Sequence, residues 1–162
     1  MRKLHFDFEN MGGLLSVYAI PVTSFVCTRK DYLTHLNYIE YTNSQNIIEI
    51  PVYADSTFYF NEDHTAGDAG DEYNVAVGGV IPKIMMENAD DIEKLERGEW
   101  LVLHQDINGT VHLSGDKNVQ MKFTTQKTTG SAAADRNQIA FTFSCIQENP
   151  SVIIAIKDLT VL

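Results

Sequence analysis

Apolar residues recur at every second position through most of the chain. Leu4, Phe6 and Phe8 share one face of an extended segment, with Lys3, His5, Asp7 and Glu9 on the other. The same period runs through Ile48, Ile50 and Val52, then Phe58 and Phe60, then Val119, Met121 and Phe123, and finally Ile139, Phe141, Phe143 and Cys145. Successive side chains of a strand point to opposite faces, so this period predicts half-buried β-strands. Leu14 to Ile20, Val22 to Cys27 and Trp100 to Leu103 are largely apolar runs, and Val152 to Ile156 is a short continuous one; all of them also read as strands. Pro21 and Pro51 lack an amide donor, which places them at an edge, bend or bulge. Tyr73 to Ile81 is a further strand, in which Gly78-Gly79 predicts a bulge or a close backbone approach.

Between these runs lie turn residues. Asn10-Met11-Gly12-Gly13 and Glu148-Asn149-Pro150 read as turns. Asn108-Gly109, between Trp100 to Leu103 and Val111 to Leu113, is the strongest hairpin signal, because both residues accept positive φ cheaply. Two longer polar stretches, Asn61 to Glu72 and Gln126 to Gln138, read as loops. Thr28 to Tyr41 follows neither period and leaves helix, strand and assembly arm open. One segment, about 88–97, reads as a helix. Asn88 can cap it, Asp90, Asp91 and Glu93 suit the positive end of its dipole, Lys94 and Arg97 suit the other end, and Gly98 stops it. The sum predicts a mainly β fold: one domain over 1–162, a sandwich or barrel of short antiparallel strands with one short helix.

Composition narrows the function classes. The chain has 162 residues, 44% of them hydrophobic, enough for a real core. Twelve Lys and Arg against 22 Asp and Glu give a net charge of −10. That argues against specific nucleic-acid binding and against a polybasic membrane surface, since both need clustered cations. No run approaches the ~20 apolar residues of a membrane helix. Asp7 and Glu9 interrupt the start that would otherwise resemble a signal peptide, so the reading is a soluble protein, intracellular when made. Two cysteines, Cys27 and Cys145, lie in apolar runs and read as reduced core thiols.

No constellation of catalytic residues stands out. There is no G-x-S-x-G, P-loop, G-x-G-x-x-G or H-E-x-x-H. His104 and His112 flank the hairpin turn and read as a cross-strand pair, one ligand short of a catalytic zinc site. Asp106-Ile107-Asn108-Gly109 starts like a calcium loop, but Val111 and Lys117 occupy the positions that need glycine and glutamate. The acids around His64 have no calcium-loop spacing and read as a solvated surface. The expectation is no catalytic residue, cofactor or metal. A carboxylate pair for glycoside hydrolysis ranks last, because such a pair is defined in space rather than in sequence.

From Tyr73 onward a series of motifs carries a resemblance. Tyr73-Asn74-Val75-Ala76-Val77-Gly78-Gly79-Val80-Ile81-Pro82-Lys83 is followed by the acidic helix ending at Arg97-Gly98 and by Trp100-Leu101-Val102-Leu103. Then come Asp106-Ile107-Asn108-Gly109, Leu113, Gly115, Val119-Gln120-Met121-Lys122-Phe123, Thr128-Thr129-Gly130, Asp135-Arg136-Asn137 and Ile139-Ala140-Phe141-Thr142-Phe143. The stretch, about residues 73–156, resembles small tail structural proteins encoded by phages and prophages of Bacteroidetes. Cys145 departs from the small residue expected there, and the first 72 residues carry no part of the resemblance.

The resemblance implies a virion protein, assembled in the bacterial host cytoplasm. It would form rings or tubes with itself or dock to other tail proteins, with no enzymatic residues. The net charge would then let DNA pass without adhering. The expected assembly segments are the two polar loops, through Asn61, Glu62, Asp63, Asp68, Asp71 and Glu72 in one and Thr128, Thr129, Gly130, Asp135 and Arg136 in the other. The rival is a monomeric β-sandwich module binding a carbohydrate-like ligand on exposed aromatics, for which Trp100, Tyr38, Tyr41, Tyr53 and Tyr59 are available.

Overall fold

Alternating side chains sort the strands into two layers. The computed structural model describes residues 12–42, 44–52, 57–68, 70–82, 89–129 and 137–155. Along the chain run β1 (Leu14–Pro21), β2 (Phe25–Lys30), β3 (Asn37–Tyr41), β4 (Ile48–Ile50), β5 (Tyr59–Gly67), β6 (Gly70–Pro82), α1 (Ala89–Arg97), β7 (Trp100–Asp106), β8 (Val111–Ser114), β9 (Lys122–Thr128), β10 (Gln138–Gln147) and β11 (Val152–Ile154). One sheet has seven strands in the order β2-β3-β11-β8-β7-β1-β4, and the other has four in the order β5-β6-β10-β9. The described pairs are antiparallel except β11 with β3. The protein is a β-sandwich with a single short α-helix among the described residues.

The main core lies between the sheets. Val17, Ala19 and Val102 from the larger sheet meet Val75, Val77, Phe141 and Phe143 from the smaller one, and Ile92 and Leu95 of α1 close the side. A second cluster occupies the opposite face of the larger sheet, where Ile20, Leu101, Leu103, Val111 and Leu113 meet Phe25 and Ile154. Burial on both faces explains the unbroken apolar run at the start of β7. Trp100 and Val102 serve one core, while Leu101 and Leu103 serve the other.

The helix forms where its pattern predicts it. Lys94 pairs with Asp91 at 2.9 Å and Arg97 with Glu93 at 2.7 Å, each one turn apart. The Gly98 amide closes the last turn on the Lys94 carbonyl, and the Trp100 indole donates to the Leu95 carbonyl at 2.9 Å. That bond ties the helix to the first residue of β7.

Two expectations need correction. Asn61 to Glu72 is not a loop. It forms facing lengths of β5 and β6, paired without a break from Tyr59↔Gly78 to Gly67↔Gly70. Backbone hydrogen bonds hold this ribbon beyond the core, where neither face needs apolar side chains, so alternation is lost. Gln126 to Gln138 is shorter than expected, since Gln126 to Thr128 lies in β9 and Thr128 pairs with Gln138 of β10. In Thr28 to Tyr41, where the sequence leaves helix, strand and arm all open, the structure has strand: the end of β2, a turn and β3. Every residue of β3 is half-buried, which erases its period.

The hairpin expected at Asn108-Gly109 forms between β7 and β8. Only Gly109 takes positive φ, at 92°. The Asp106 carbonyl accepts from Gly109, and the Asp106 amide donates to Thr110, giving a three-residue hairpin loop rather than the two-residue form. At Gly78-Gly79 the β6–β10 register is continuous, so there is close approach and no bulge. A Cβ on Gly79 would lie 2.8 Å from the Phe58 ring. The bulge in β1 falls instead between Leu14 and Ser16. The strand expected around Leu4 to Phe8, residues 10 and 11 of the first turn, and the Asn88 cap lie outside the described residues.

Candidate functional site

The acidic residues expected to mark an assembly loop sit on the β5–β6 ribbon and do not act as one group. Asn61 and Asp63 face outward with Asn74, Ser144 and Ile146 around a shallow trough of about 330 Å³. Glu62 points the other way, and its carboxylate accepts from the Ser151 amide at 2.7 Å, tying the ribbon to the segment before β11. His64 stacks on its cross-strand partner Tyr73, with ring centroids 4.7 Å apart, and lies 3.5 Å from Asp71. Asp68, Asp71 and Glu72 are exposed at the far end. Charges on β5, an edge strand, deter another chain from adding to that edge. Of the second expected segment, Thr128 and Thr129 are exposed, while Gly130, Asp135 and Arg136 lie outside the described residues.

His104 and His112 form the predicted cross-strand pair, their rings nearly parallel and 5.4 Å apart, with Phe60 of β5 packed on both. His104 is 1% exposed. Burial, with a smaller push from His112, lowers its pKa from 6.5 to about 3. Its Nε2 lies 3.2 Å from Ser114 Oγ, which lies 2.9 Å from Ser151 Oγ. Gln147 continues the network, with its carbonyl oxygen accepting from the Gly115 amide.

A serine beside a histidine invites comparison with a nucleophile and its base. Ser114 is fully buried, however, and His104 Nδ1 has no hydrogen-bond partner to orient the ring. A histidine this hard to protonate is a poor base. The network joins β7, β8, β10 and the β11 approach.

Cys145 is half-buried, and burial raises its thiol pKa to about 11, with Asp116 and Glu62 adding to the rise. In a Cys27→Ser background, labelling of Cys145 at pH 8 is expected to be roughly ten- to a hundred-fold slower in the folded protein than in the unfolded chain. Equal rates would show an accessible, ordinary thiol. Of the aromatics available to a carbohydrate platform, Trp100 is 5% exposed. Tyr38 and Tyr41 are half-buried on β3, the Tyr59 hydroxyl lies 3.2 Å from Thr142 Oγ1, and Tyr53 is outside the described residues. Among the described residues no three His, Cys, Asp or Glu side chains are placed to share a metal, and no helix is long and apolar enough to cross a membrane.

The surface feature that sequence reasoning missed is the turn between β2 and β3. Tyr32 is 91% exposed and Leu33 93%, with Leu36 beside them at 45%. The turn is firmly built. Asp31 Oδ1 accepts from the amides of Leu33 (2.7 Å) and Thr34 (3.2 Å), and the Asp31 backbone bonds to both His35 and Leu36. His35 takes the left-handed conformation, φ 58°, which a non-glycine residue adopts only when its surroundings impose it. At its base, Asn37 bonds to the backbone of Ile153 and Ala155, and Arg29 pairs with Glu40 at 3.0 Å. The sequence signal was Asp31 followed by a residue pair too apolar for a turn.

Comparison of the chain with protein-family profiles, with curated proteins and with solved structures gives no match.

Proposed function

We propose that this chain is a non-enzymatic structural protein of a phage tail, working by association with copies of itself or with neighbouring tail subunits. The observation that carries the reading is the β2–β3 tip. It holds two large apolar side chains almost wholly in water, on a turn braced by side-chain and backbone hydrogen bonds. Exposing such groups on a rigid mount is unfavourable for the isolated chain and is relieved by contact with another protein surface. The polar network around His104 is used internally, which fits a scaffold. The tail assignment itself rests on the resemblance over residues 73–156.

Two groups of acids stand out among the described residues. One is the end of the ribbon. The other is α1 and its surroundings, where Glu96 pairs with Lys127 and Glu99 with Lys122. In a ring, the exposed acids at the ribbon end would repel passing DNA.

Size-exclusion chromatography with light scattering tests the reading. The expected result is a mass that rises with protein concentration toward a closed or growing oligomer. A strict monomer over the whole range, with no association to neighbouring tail proteins, would sink it.

A further inference from the structure

The pair that closes the β7–β8 hairpin, Asn108-Gly109, has a chemistry of its own. Asparagine is a labile residue, because the backbone nitrogen of the next residue can attack its side-chain amide. Glycine hinders that attack least, since it has no Cβ. Every other asparagine in the chain precedes a residue with a side chain. Asn108 and Gly109 are both exposed, and a Cβ on Gly109 would meet nothing within 4 Å. Water and hydroxide therefore reach both partners of the reaction.

The turn holds the attacking atom. The Gly109 amide donates to the Asp106 carbonyl at 3.1 Å, and its nitrogen has to give up that bond before it can face the Asn108 side chain. The rest of the loop is pinned to the same residue. The Thr110 amide donates to Asp106 Oδ1 at 2.7 Å, and the Asp106 amide donates to the Thr110 carbonyl at 3.0 Å. The Gln105 side-chain amide donates to the Gly109 carbonyl at 3.3 Å. Reaction requires this loop to open, and the fraction of time it is open sets the rate.

We infer that Asn108 is a site of spontaneous deamidation, held in check by the turn built on Asp106. The Gly109 nitrogen loses its proton to hydroxide and forms a bond to Asn108 Cγ. The Cγ–Nδ2 bond breaks, and Nδ2 takes a proton from water and leaves as ammonia. The product is a five-membered succinimide. A second water opens the ring at either carbonyl. Cleavage between Cγ and the Gly109 nitrogen gives aspartate at this position. Cleavage at the backbone carbonyl gives isoaspartate, whose main chain runs through Cγ and is one methylene longer. Either product places a new carboxylate two residues from Asp106. Isoaspartate also lengthens the loop that brings His104 opposite His112.

The test incubates the full-length chain folded, and again unfolded in guanidinium chloride, at the same mildly alkaline pH. Peptide mapping by mass spectrometry follows the conversion of each asparagine to the acid, and an isoaspartyl methyltransferase assay counts the isoaspartate. In denaturant Asn108 is expected to convert before any other asparagine. In the fold it is expected to convert at least about ten-fold more slowly, and Asp106→Ala, which frees the Thr110 amide, is expected to recover part of the lost rate. Circular dichroism checks the fold of that variant, and the comparison of folded with unfolded native chain stands without it. Equal rates in the fold and in denaturant would show that the turn does not restrain Gly109. A different asparagine converting first in the unfolded chain would remove Asn108 as the site.

Discussion

Replacing Phe143 with alanine is expected to lower the free energy of unfolding by about 3–5 kcal/mol. Phe143 is fully buried in β10, the strand between β6 and β9, opposite Val77 on one side and Phe123 on the other. Its ring lies 4.7 Å from Phe123 and 6.1 Å from Phe141, the latter edge-on. Three aromatic rings packed this way cannot collapse into the space a phenyl group leaves, so the variant loses both the transfer energy and the filling of the cavity. Ser144, the next residue, points to the exposed outer face, and Ser144→Ala is expected to stay within about 0.5 kcal/mol of the native chain. Urea unfolding of the two variants provides the comparison. A loss under about 1 kcal/mol for Phe143→Ala would mean that the two sheets do not meet there.

The second large effect is acid sensitivity at His104. The unfolded chain protonates this residue near pH 6.5, whereas burial in the fold holds it neutral down to about pH 3. Between those values the unfolded state binds a proton that the native state refuses. The stability associated with neutral His104 is therefore complete above about pH 6.5 and falls as pH drops toward 3. One proton corresponds to a slope of at most about 1.4 kcal/mol per pH unit, several kcal/mol across the window. His112 faces His104 across the strand pair and adds to the penalty, and Glu62 reaches the same network through Ser151. In His104→Leu this slope is expected to disappear. Carboxylates contribute their own acid dependence in both proteins, so the measurement is the difference between the two curves from pH 7 to pH 4. Parallel curves would show that His104 is protonated in the fold or is not buried.

Both effects were partly legible before folding. Phe143 belongs to the clearest alternating run in the chain, and its inward direction followed from Ile139 and Phe141. The facing of His104 and His112 followed from the hairpin. The depth of His104 did not, because Phe60, which covers both rings, comes from a strand of the other sheet more than forty residues away in sequence. Glu62 was grouped with its acidic neighbours, yet it turns inward to a distant backbone amide, while Asn61 and Asp63 face the outside. A strand's two faces are indistinguishable in a uniformly polar stretch.

The sequence alone determined what depends on neighbours along the chain: the mainly β class, the alternating strands of the core, the helix with its charges and stop, and the hairpin turn. Each follows from local backbone preference or from a short hydrophobic period. The tertiary structure alone decided which polar segments are strands, because ladder hydrogen bonds come from a partner strand regardless of side chain. It alone placed Trp100 in the core and Tyr32 and Leu33 in water, although all three are large and apolar. Burial depends on what the rest of the chain brings to a side chain, and at the β2–β3 tip it brings nothing to cover those two.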